Sequence, residues 1–118
     1  MQYLTKTSAL LVAIALLAAS CQKESTQTTT LRNLYQTYKN GSIDECKHQG
    51  STVYCAGLNV YDASALVYDA SGKKIATCNY AWGGVDSLCT KLTACKTVYR
   101  CHNSITGQPF VDTYGLSR

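Results

Sequence analysis

The spacing of hydrophobic residues predicts a short amphipathic helix at the start of the folded region. Apolar side chains recur at i, i+3, i+4 and i+7, which is one face of a helix. The residues in this pattern are Leu31, Leu34, Tyr35 and Tyr38. Thr29 or Thr30 can cap the start of this helix, and Asn40-Gly41 is typical of a helix end. A helix with one apolar face needs a sheet to cover that face.

The segment after the helix predicts a β-hairpin with a two-residue turn. Residues 43–49 and 52–56 flank Gly50-Ser51, which is typical of a turn with glycine in the first position. With this turn, Cys46 faces Cys55 in a non-hydrogen-bonded pair, where Cα atoms lie about 4.5 Å apart. That separation is close to the lower end of the disulfide range. The pattern therefore predicts a Cys46–Cys55 disulfide.

The remaining pattern predicts a second hairpin, a second short helix and a further strand. Residues 65–69 and 73–78 flank Ala70-Ser71-Gly72, and Gly72 suits a left-handed turn position. Residues 85–92 have helical spacing, residues 96–101 alternate like a strand, and residues 102–118 are expected to be mostly irregular. Together these elements predict an α+β fold, with the N-terminal helix on a small antiparallel sheet of four to five strands, stapled by disulfides.

The other four cysteines of the folded region leave two pairing schemes open. In a strand, Cys95 and Cys101 would lie about 20 Å apart, too far for a disulfide. With Cys46–Cys55 fixed, the schemes are Cys78–Cys101 with Cys89–Cys95, or Cys78–Cys95 with Cys89–Cys101. We favour the first scheme, because Cys89 and Cys95 lie on either side of a predicted helix end.

Composition narrows the class of protein. The chain has 118 residues, seven of them cysteine, and 15% of its residues are charged. That length allows one small domain, and that cysteine content is typical of exported domains held by disulfides. The chain has 11 Lys+Arg against 7 Asp+Glu and no basic run beyond Lys73-Lys74. This balance argues against a nucleic-acid binder.

The N-terminus is typical of a secretory signal. Residues 9–19 are eleven consecutive apolar residues, preceded by a polar segment whose charge is Lys6. Eleven residues are too few for a membrane-spanning helix, which needs about 20, but they match the apolar region of a signal peptide. Residues 1–20 are therefore predicted to be a signal peptide.

The end of this signal resembles a bacterial lipobox. The motif is Leu17-Ala18-Ala19-Ser20-Cys21, although the lipobox pattern prefers leucine where this chain has Ala18. The resemblance implies that Cys21 is lipidated and becomes the first mature residue. Ordinary cleavage after Ser20 is the alternative, since Ala18 and Ser20 also fit the small-residue rule. Lipidation of Cys21 leaves six cysteines, which can all pair.

The polar residues that follow Cys21 predict a flexible tether. Residues 21–30 contain no large apolar side chain, so we expect a tether of that length between the lipid and a single domain over residues 31–118. Lys23-Glu24 resembles the surface-export signal of Bacteroidota lipoproteins. The resemblance implies a place on the outer membrane, on its periplasmic side or on the cell surface.

No catalytic or metal-binding constellation is predicted. The Cys89-x5-Cys95-x5-Cys101-His102 spacing matches no common zinc site, and such cysteines form disulfides in an oxidising compartment. His102, Asp112 and a serine could form a hydrolytic triad on paper, but the chain has no G-x-S-x-G motif. We therefore expect a protein without catalytic residues, cofactor or metal.

One loop is a candidate binding surface. Tyr80 and Trp82 lie beside Gly83-Gly84 in a predicted loop, and an exposed aromatic loop would suit recognition of a protein or glycan partner. Burial of Trp82 under the disulfides is the alternative. If Trp82 is buried, the loop is a structural feature rather than a contact surface.

The folded region also resembles small Bacteroidota cell-envelope lipoproteins of unknown function. The residues that carry the resemblance are Tyr54-Cys55-Ala56, Tyr61-Asp62-Ala63, Val67-Tyr68-Asp69, Gly72-Lys73, Cys78-Asn79-Tyr80-Ala81-Trp82, Val85-Asp86-Ser87-Leu88-Cys89 and Val98-Tyr99-Arg100. The resemblance implies an exported, single-domain protein and no site residues. We therefore expect a lipid-anchored binding or accessory module of the cell envelope. A disulfide-stapled protease inhibitor is the alternative.

Overall fold

The computed structural model describes residues 25–60, 63–79, 84–103 and 106–118. Its elements, in chain order, are α1 (Thr26–Tyr38), β1 (Gly41–His48), β2 (Ser51–Leu58), β3 (Ala65–Asp69), β4 (Lys74–Asn79), β5 (Gly84–Val85), a 3₁₀ helix (Ser87–Lys91), β6 (Thr93–Arg100) and β7 (Val111–Asp112). The strands of this part of the chain form one antiparallel sheet in the order β5-β4-β3-β2-β1-β6-β7. The predicted α+β class is confirmed, and the two-residue strands β5 and β7 extend the predicted sheet at its edges.

Helix α1 begins five residues earlier than its hydrophobic spacing indicates. The side-chain oxygen of Ser25 accepts a hydrogen bond from the Thr28 amide at 3.3 Å, which caps the first turn. Residues 26–30 were predicted to belong to a flexible tether, and that boundary was wrong, because these residues are helical. The predicted apolar face is confirmed at its centre, since Leu31, Leu34 and Tyr38 are buried.

Both faces of the sheet are covered. We call the face under α1 the helix side; its core contains Leu31, Leu34, Tyr38, Ile43, Tyr54, Ala56, Val98 and Tyr99. We call the opposite face the disulfide side; its core contains Cys46, Val53, Val67, Ala76, Cys78 and Cys89. Val85, Leu88 and Leu92 pack on the disulfide side, so the segment around the 3₁₀ helix acts as its cover. The predicted second short helix over residues 85–92 is this 3₁₀ helix, which is five residues long.

The β1–β2 turn lies one residue earlier than predicted. Gln49 and Gly50 are the two turn residues, with φ of 51° and 79°, as the right-handed twist of the flanking strands favours. In the resulting register Cys46 faces Val53, and Cys55 faces Asp44. The predicted Cys46–Cys55 disulfide is therefore wrong.

A β-bulge brings Cys46 to its actual partner. Along the β1–β6 pair, Glu45 faces Lys96 and Lys47 faces Thr93, so β6 carries one extra residue between these pairs. Ala94, with φ of 51°, lies in this bulge. Cys46 and Cys95 form a disulfide there, with Cα atoms 4.0 Å apart.

The second disulfide joins Cys78 on β4 to Cys89 in the 3₁₀ helix, with Cα atoms 5.9 Å apart. It holds the cover on the disulfide side of the sheet. Both predicted schemes for Cys78, Cys89, Cys95 and Cys101 are wrong. Neither contains the Cys78–Cys89 bond, and both pair Cys95 with a cysteine other than Cys46. Cys55 and Cys101 are free thiols.

The second hairpin follows the prediction closely. β3 ends at Asp69, and Gly72 has φ of 91°, the left-handed conformation expected from its place in the turn. The Asp69 carboxylate accepts hydrogen bonds from the Ser71 amide at 2.9 Å, the Ser71 hydroxyl at 2.6 Å and the Lys73 amide at 3.0 Å. These bonds and the neighbouring Lys73 charge lower the pKa of Asp69.

The two ends of the sheet differ in what they contain. The turn end holds the β1–β2 and β3–β4 turns and the start of β6. The N-terminal part of α1 lies at this end, where the Thr30 hydroxyl donates to the Ala70 carbonyl of the β3–β4 turn at 2.8 Å. The opposite end, which we call the cleft end, holds the end of α1, the start of β1 and the end of β6. There the Asn59 amide donates to the Asn40 carbonyl at 3.1 Å.

Candidate functional site

A cleft of about 370 Å³ opens at the cleft end of the sheet. Its walls come from the start of β1, the end of β2, the end of β6 and the segment before β7. The lining residues are Gly41, Ser42, Leu58, Asn59, Val60, Arg100, Cys101, Asn103, Thr106 and Gln108. We call this site the terminal cleft. Its volume is at the lower end of the range for small-ligand pockets.

Gly41 lets β1 and β2 approach closely at the wall of the terminal cleft. A Cβ atom at Gly41 would overlap the carbonyl oxygen of Gly57 and would lie 2.7 Å from the Leu58 Cα atom. β2 ends beside this close approach at Leu58, and Leu58 and Val60 have 46% and 59% of their surfaces exposed. Two aliphatic side chains therefore stand on the rim of the cleft, where water or a partner contacts them.

The opposite wall of the cleft carries a cation and a thiol. Arg100 lies at the end of β6, and its Nε–H donates to the Pro109 carbonyl at 3.0 Å, which fixes the direction of the side chain. The Cys101 amide donates to the Gly41 carbonyl at 3.0 Å, so this residue continues the β1–β6 pairing by one step. Its free thiol is half-buried. The cleft thus combines aliphatic, amide and hydroxyl groups with one guanidinium group.

A turn before β7 closes the third side of the terminal cleft. The Asn103 amide donates to the Gln108 carbonyl at 3.0 Å, and the Gly107 amide donates to the Asn103 carbonyl at 2.7 Å. The Asn103 side-chain oxygen accepts from the Thr106 amide at 3.1 Å. Asn103, Thr106 and Gln108 of this segment line the cleft with polar groups that can hydrogen-bond to a ligand.

A polar cluster on the helix side is built around Glu45, whose side chain is 12% exposed. Its carboxylate accepts from the Gln27 amide group at 2.5 Å and from the Tyr114 hydroxyl at 3.1 Å, and it pairs with Lys96 at 3.2 Å. The partners come from α1, the C-terminal segment and β6. The cluster therefore joins three parts of the chain to β1, which is a structural role.

The predicted site residues have different outcomes. Cys21, Tyr80 and Trp82 lie outside the described residues, so the lipidation site and the aromatic loop stay predictions. Both oxygens of the Asp112 carboxylate are used within its own turn, where they accept from Leu116 and Ser117. Asp112 is thus a turn-forming residue in the structure. Cys89 and Cys95 belong to the spacing that matches no common zinc site, and each of them takes part in a disulfide.

The two free thiols lie too far apart to bond with each other. Cys55 faces Asp44 on one side of β1, whereas Cys101 follows the Arg100–Ser42 pair on the other side. Two strand spacings across the sheet and three residues along it amount to about 14 Å between the Cα atoms. A disulfide needs less than about 7 Å. Burial, together with the nearby Asp44 charge, raises the pKa of the Cys55 thiol.

The hydrophobic pattern along the chain contains no signal for the terminal cleft. Leu58 and Val60 read as ordinary apolar residues after a strand, and nothing in the sequence separates an exposed rim from a buried wall. Arg100 is an ordinary charged residue at the end of a predicted strand. The tertiary pairing of β1 with both β2 and β6 is what brings these residues together.

No protein family, no curated protein sequence and no solved structure matches the chain. Within the described ranges, no helix is long and apolar enough to cross a membrane.

Proposed function

We propose that the chain is an exported, lipid-anchored protein of the cell envelope, whose folded domain is a non-catalytic binding module. The apolar run over residues 9–19, the small residues before Cys21 and the resemblance to Bacteroidota lipoproteins support export and anchoring. The two disulfides agree with an oxidising compartment outside the cytosol. The anchor would be a lipid on Cys21, on the outer membrane.

The observation that carries the binding role is the terminal cleft with its exposed aliphatic rim. Leu58 and Val60 are exposed, whereas most apolar residues of the described β-strands are buried. Beside this rim the Arg100 side chain is held in place by a hydrogen bond to the Pro109 carbonyl, so this cation is oriented before a partner binds. A protein or glycan partner that offers an apolar group to the rim and acceptors to Arg100 fits this chemistry.

Intact-mass analysis of the protein from membranes tests export and anchoring. We expect the chain to begin at Cys21 and to carry added acyl mass. A Cys21→Ser variant should lose the acyl mass and leave the membrane fraction. A chain that begins elsewhere, or that keeps residues 1–20 without a lipid, would contradict the proposal.

Site-specific photocrosslinking in cells tests the cleft. A photoreactive residue at Val60 should give a defined crosslinked product. The same residue at Ile75 is the matched control, because Ile75 is also an exposed aliphatic residue but lies on β4, away from the cleft. A Leu58→Ser change should weaken the Val60 product. Equal products from Val60 and Ile75 would show that the rim is not a specific contact surface.

A protease inhibitor is the second candidate, and one observation favours it. The Cys78–Cys89 disulfide closes the segment that contains Tyr80 and Trp82, and inhibitors present their contact residues on closed loops of this kind. Inhibition of serine and cysteine proteases by the purified protein would support this candidate. Such inhibition should be lost in a Cys78→Ala, Cys89→Ala variant, and no inhibition at a micromolar concentration would rule the candidate out.

A further inference from the structure

Exposed lysines gather at the turn end of the sheet. Lys47 precedes the β1–β2 turn, and Lys73 and Lys74 follow the β3–β4 turn. Lys91 ends the 3₁₀ helix, two residues before Thr93, which faces Lys47 across the β1–β6 pair. All four side chains are exposed. We call Lys47, Lys73, Lys74 and Lys91 the basic patch.

The carboxylates near the basic patch do not neutralise it. Asp69 is the acidic residue of the β3–β4 turn, and its carboxylate, whose pKa is lowered by hydrogen bonds from Ser71 and Lys73 and by the Lys73 charge, offsets only one of the four lysine charges. The ion pair found among the described residues joins Lys96 to Glu45, on the helix side and outside the patch. The patch therefore presents a net positive charge to its surroundings.

The start of α1 places the N-terminal attachment at this same end. Thr30 contacts the β3–β4 turn at Ala70, and the helix cap Ser25 is only four residues after Cys21. Four extended residues span at most about 14 Å. A tether of ten residues, as the sequence alone predicts, would reach about 35 Å. The early start of α1 therefore shortens the maximum reach from Cys21 to the start of the helix by more than half.

We propose that the basic patch binds the anionic phospholipid headgroups of the membrane that holds the lipid on Cys21. This inference rests on the lipid anchor of the proposed function. The short tether keeps the anchor within about 14 Å of the helix cap Ser25, and Thr30 of the same helix contacts the β3–β4 turn that Lys73 and Lys74 follow. The terminal cleft lies at the other end of the eight-residue strand β1, about 26 Å farther from the membrane. The domain then stands on its turn end and presents the cleft to the surroundings.

Residue-resolved lysine acetylation of the lipidated full chain in vesicles tests this orientation. Vesicles of phosphatidylcholine are compared with vesicles that also contain phosphatidylglycerol. We expect the four lysines of the patch to react about fivefold more slowly in the anionic vesicles, the factor that corresponds to about 1 kcal/mol per lysine at an anionic surface. Lys39 is the internal control, because it is exposed at the cleft end of α1. The protection should vanish in about 1 M NaCl, where the Debye length is about 3 Å.

Charge reversal provides a matched pair of variants. Lys73→Glu with Lys74→Glu should remove the protection of Lys47 and Lys91 in anionic vesicles, whereas Lys39→Glu should leave it unchanged. Equal reaction of Lys39 and the patch in anionic vesicles, on a chain whose Cys21 carries acyl mass, would overturn the orientation and leave the anchor standing. Protection of the same size in phosphatidylcholine vesicles would also overturn it, because the contact would then not depend on lipid charge. Absence of acyl mass on Cys21 would instead refute the proposed function.

Discussion

Gly41 lies where the backbones of β1 and β2 approach too closely for any side chain. A Cβ atom there would overlap the Gly57 carbonyl oxygen, and both obstructing groups are backbone atoms that cannot rotate away. We expect Gly41→Ala to lower the free energy of unfolding by about 2–3 kcal/mol, as overpacking does. Gly57→Ala is the matched control, because its Cβ would meet neighbours at 3.8 Å or more. Equal denaturant midpoints for the two variants would contradict this account.

Two buried tyrosine hydroxyls should respond in opposite directions when they are removed. Tyr54 is fully buried, and its hydroxyl has no hydrogen-bond partner among the described residues, whereas the Tyr38 hydroxyl bonds to the Tyr68 hydroxyl at 2.6 Å. An unpaired buried hydroxyl costs about 1–3 kcal/mol, so Tyr54→Phe should stabilise the fold or leave it unchanged. Tyr38→Phe should destabilise it by about 1 kcal/mol. Urea denaturation of both variants measures the difference, and a large loss of stability in Tyr54→Phe would refute it.

At the scale of elements, the β1–β2 turn determines the register of the hairpin. Gln49 has φ of 51° in this turn, a conformation that asparagine adopts more readily than glutamine. We expect Gln49→Asn to raise the free energy of unfolding by about 0.5 kcal/mol, and Gln49→Val to lower it by about 1–2 kcal/mol. The thermal midpoints of the two variants give the comparison. An unchanged midpoint for Gln49→Val would mean that Gln49 does not adopt this conformation.

The misplaced turn shows why the hydrophobic pattern could not select the correct register. The predicted and observed registers pair Cys46 with residues two apart, Cys55 and Val53. Because side chains alternate with a period of two, both registers keep every residue on the same face of the sheet. The alternation therefore predicts which face of the sheet each residue lies on, but it does not predict which residues of β1 and β2 are paired. The bulge at Ala94 adds one residue to β6 that no periodicity indicates, so the Cys46–Cys95 pairing was also hidden.

The helix and the second hairpin were predictable for local reasons. The apolar face of α1 and the left-handed Gly72 follow from short stretches of sequence. The terminal cleft combines residues from β1, β2 and β6, so it depends on pairings that are distant along the chain. The prediction that all six cysteines of the folded region pair depends only on their even number. Since Cys55 and Cys101 are free, that count no longer supports lipidation of Cys21, which now depends on the N-terminal motif alone.

The two disulfides close chain segments of very different length, which ranks their contributions to stability. Cys46–Cys95 joins residues 49 apart, and Cys78–Cys89 joins residues 11 apart. Loop entropy gives about 4 kcal/mol for the longer closure and about 3 kcal/mol for the shorter one. Denaturation of a Cys46→Ala, Cys95→Ala variant should therefore show the larger loss than Cys78→Ala, Cys89→Ala. Peptide mapping of the unreduced protein should recover the same two pairs, and a Cys55–Cys101 peptide would contradict the structure.

For the whole molecule, the buried tyrosines make stability sensitive to alkaline pH. Burial is the largest cause that raises the pKa of the buried Tyr38, Tyr54 and Tyr99, and Tyr54 reaches about 12. The same cause acts at Tyr114, although 45% of that residue is exposed. The neighbouring Glu45 charge adds to the effect at Tyr54 and Tyr114. An unfolded tyrosine titrates at a pKa of about 10. Above that pH the unfolded chain loses protons that the folded chain retains, so stability falls as pH rises.

We therefore expect the free energy of unfolding to keep its full value below about pH 9 and to decline between about pH 10 and 12. Urea midpoints measured by circular dichroism across this range, with the free thiols alkylated beforehand, give the slope. The part of the tyrosinate absorbance that the Tyr54→Phe variant lacks should appear only near pH 12 or with unfolding, because burial raises the pKa of Tyr54 to about 12. Tyr54→Phe should make the decline shallower by removing one of the contributing groups. A midpoint that stays constant to pH 12, or tyrosinate that forms fully while the circular dichroism is still native, would show that these hydroxyls titrate freely in the folded protein.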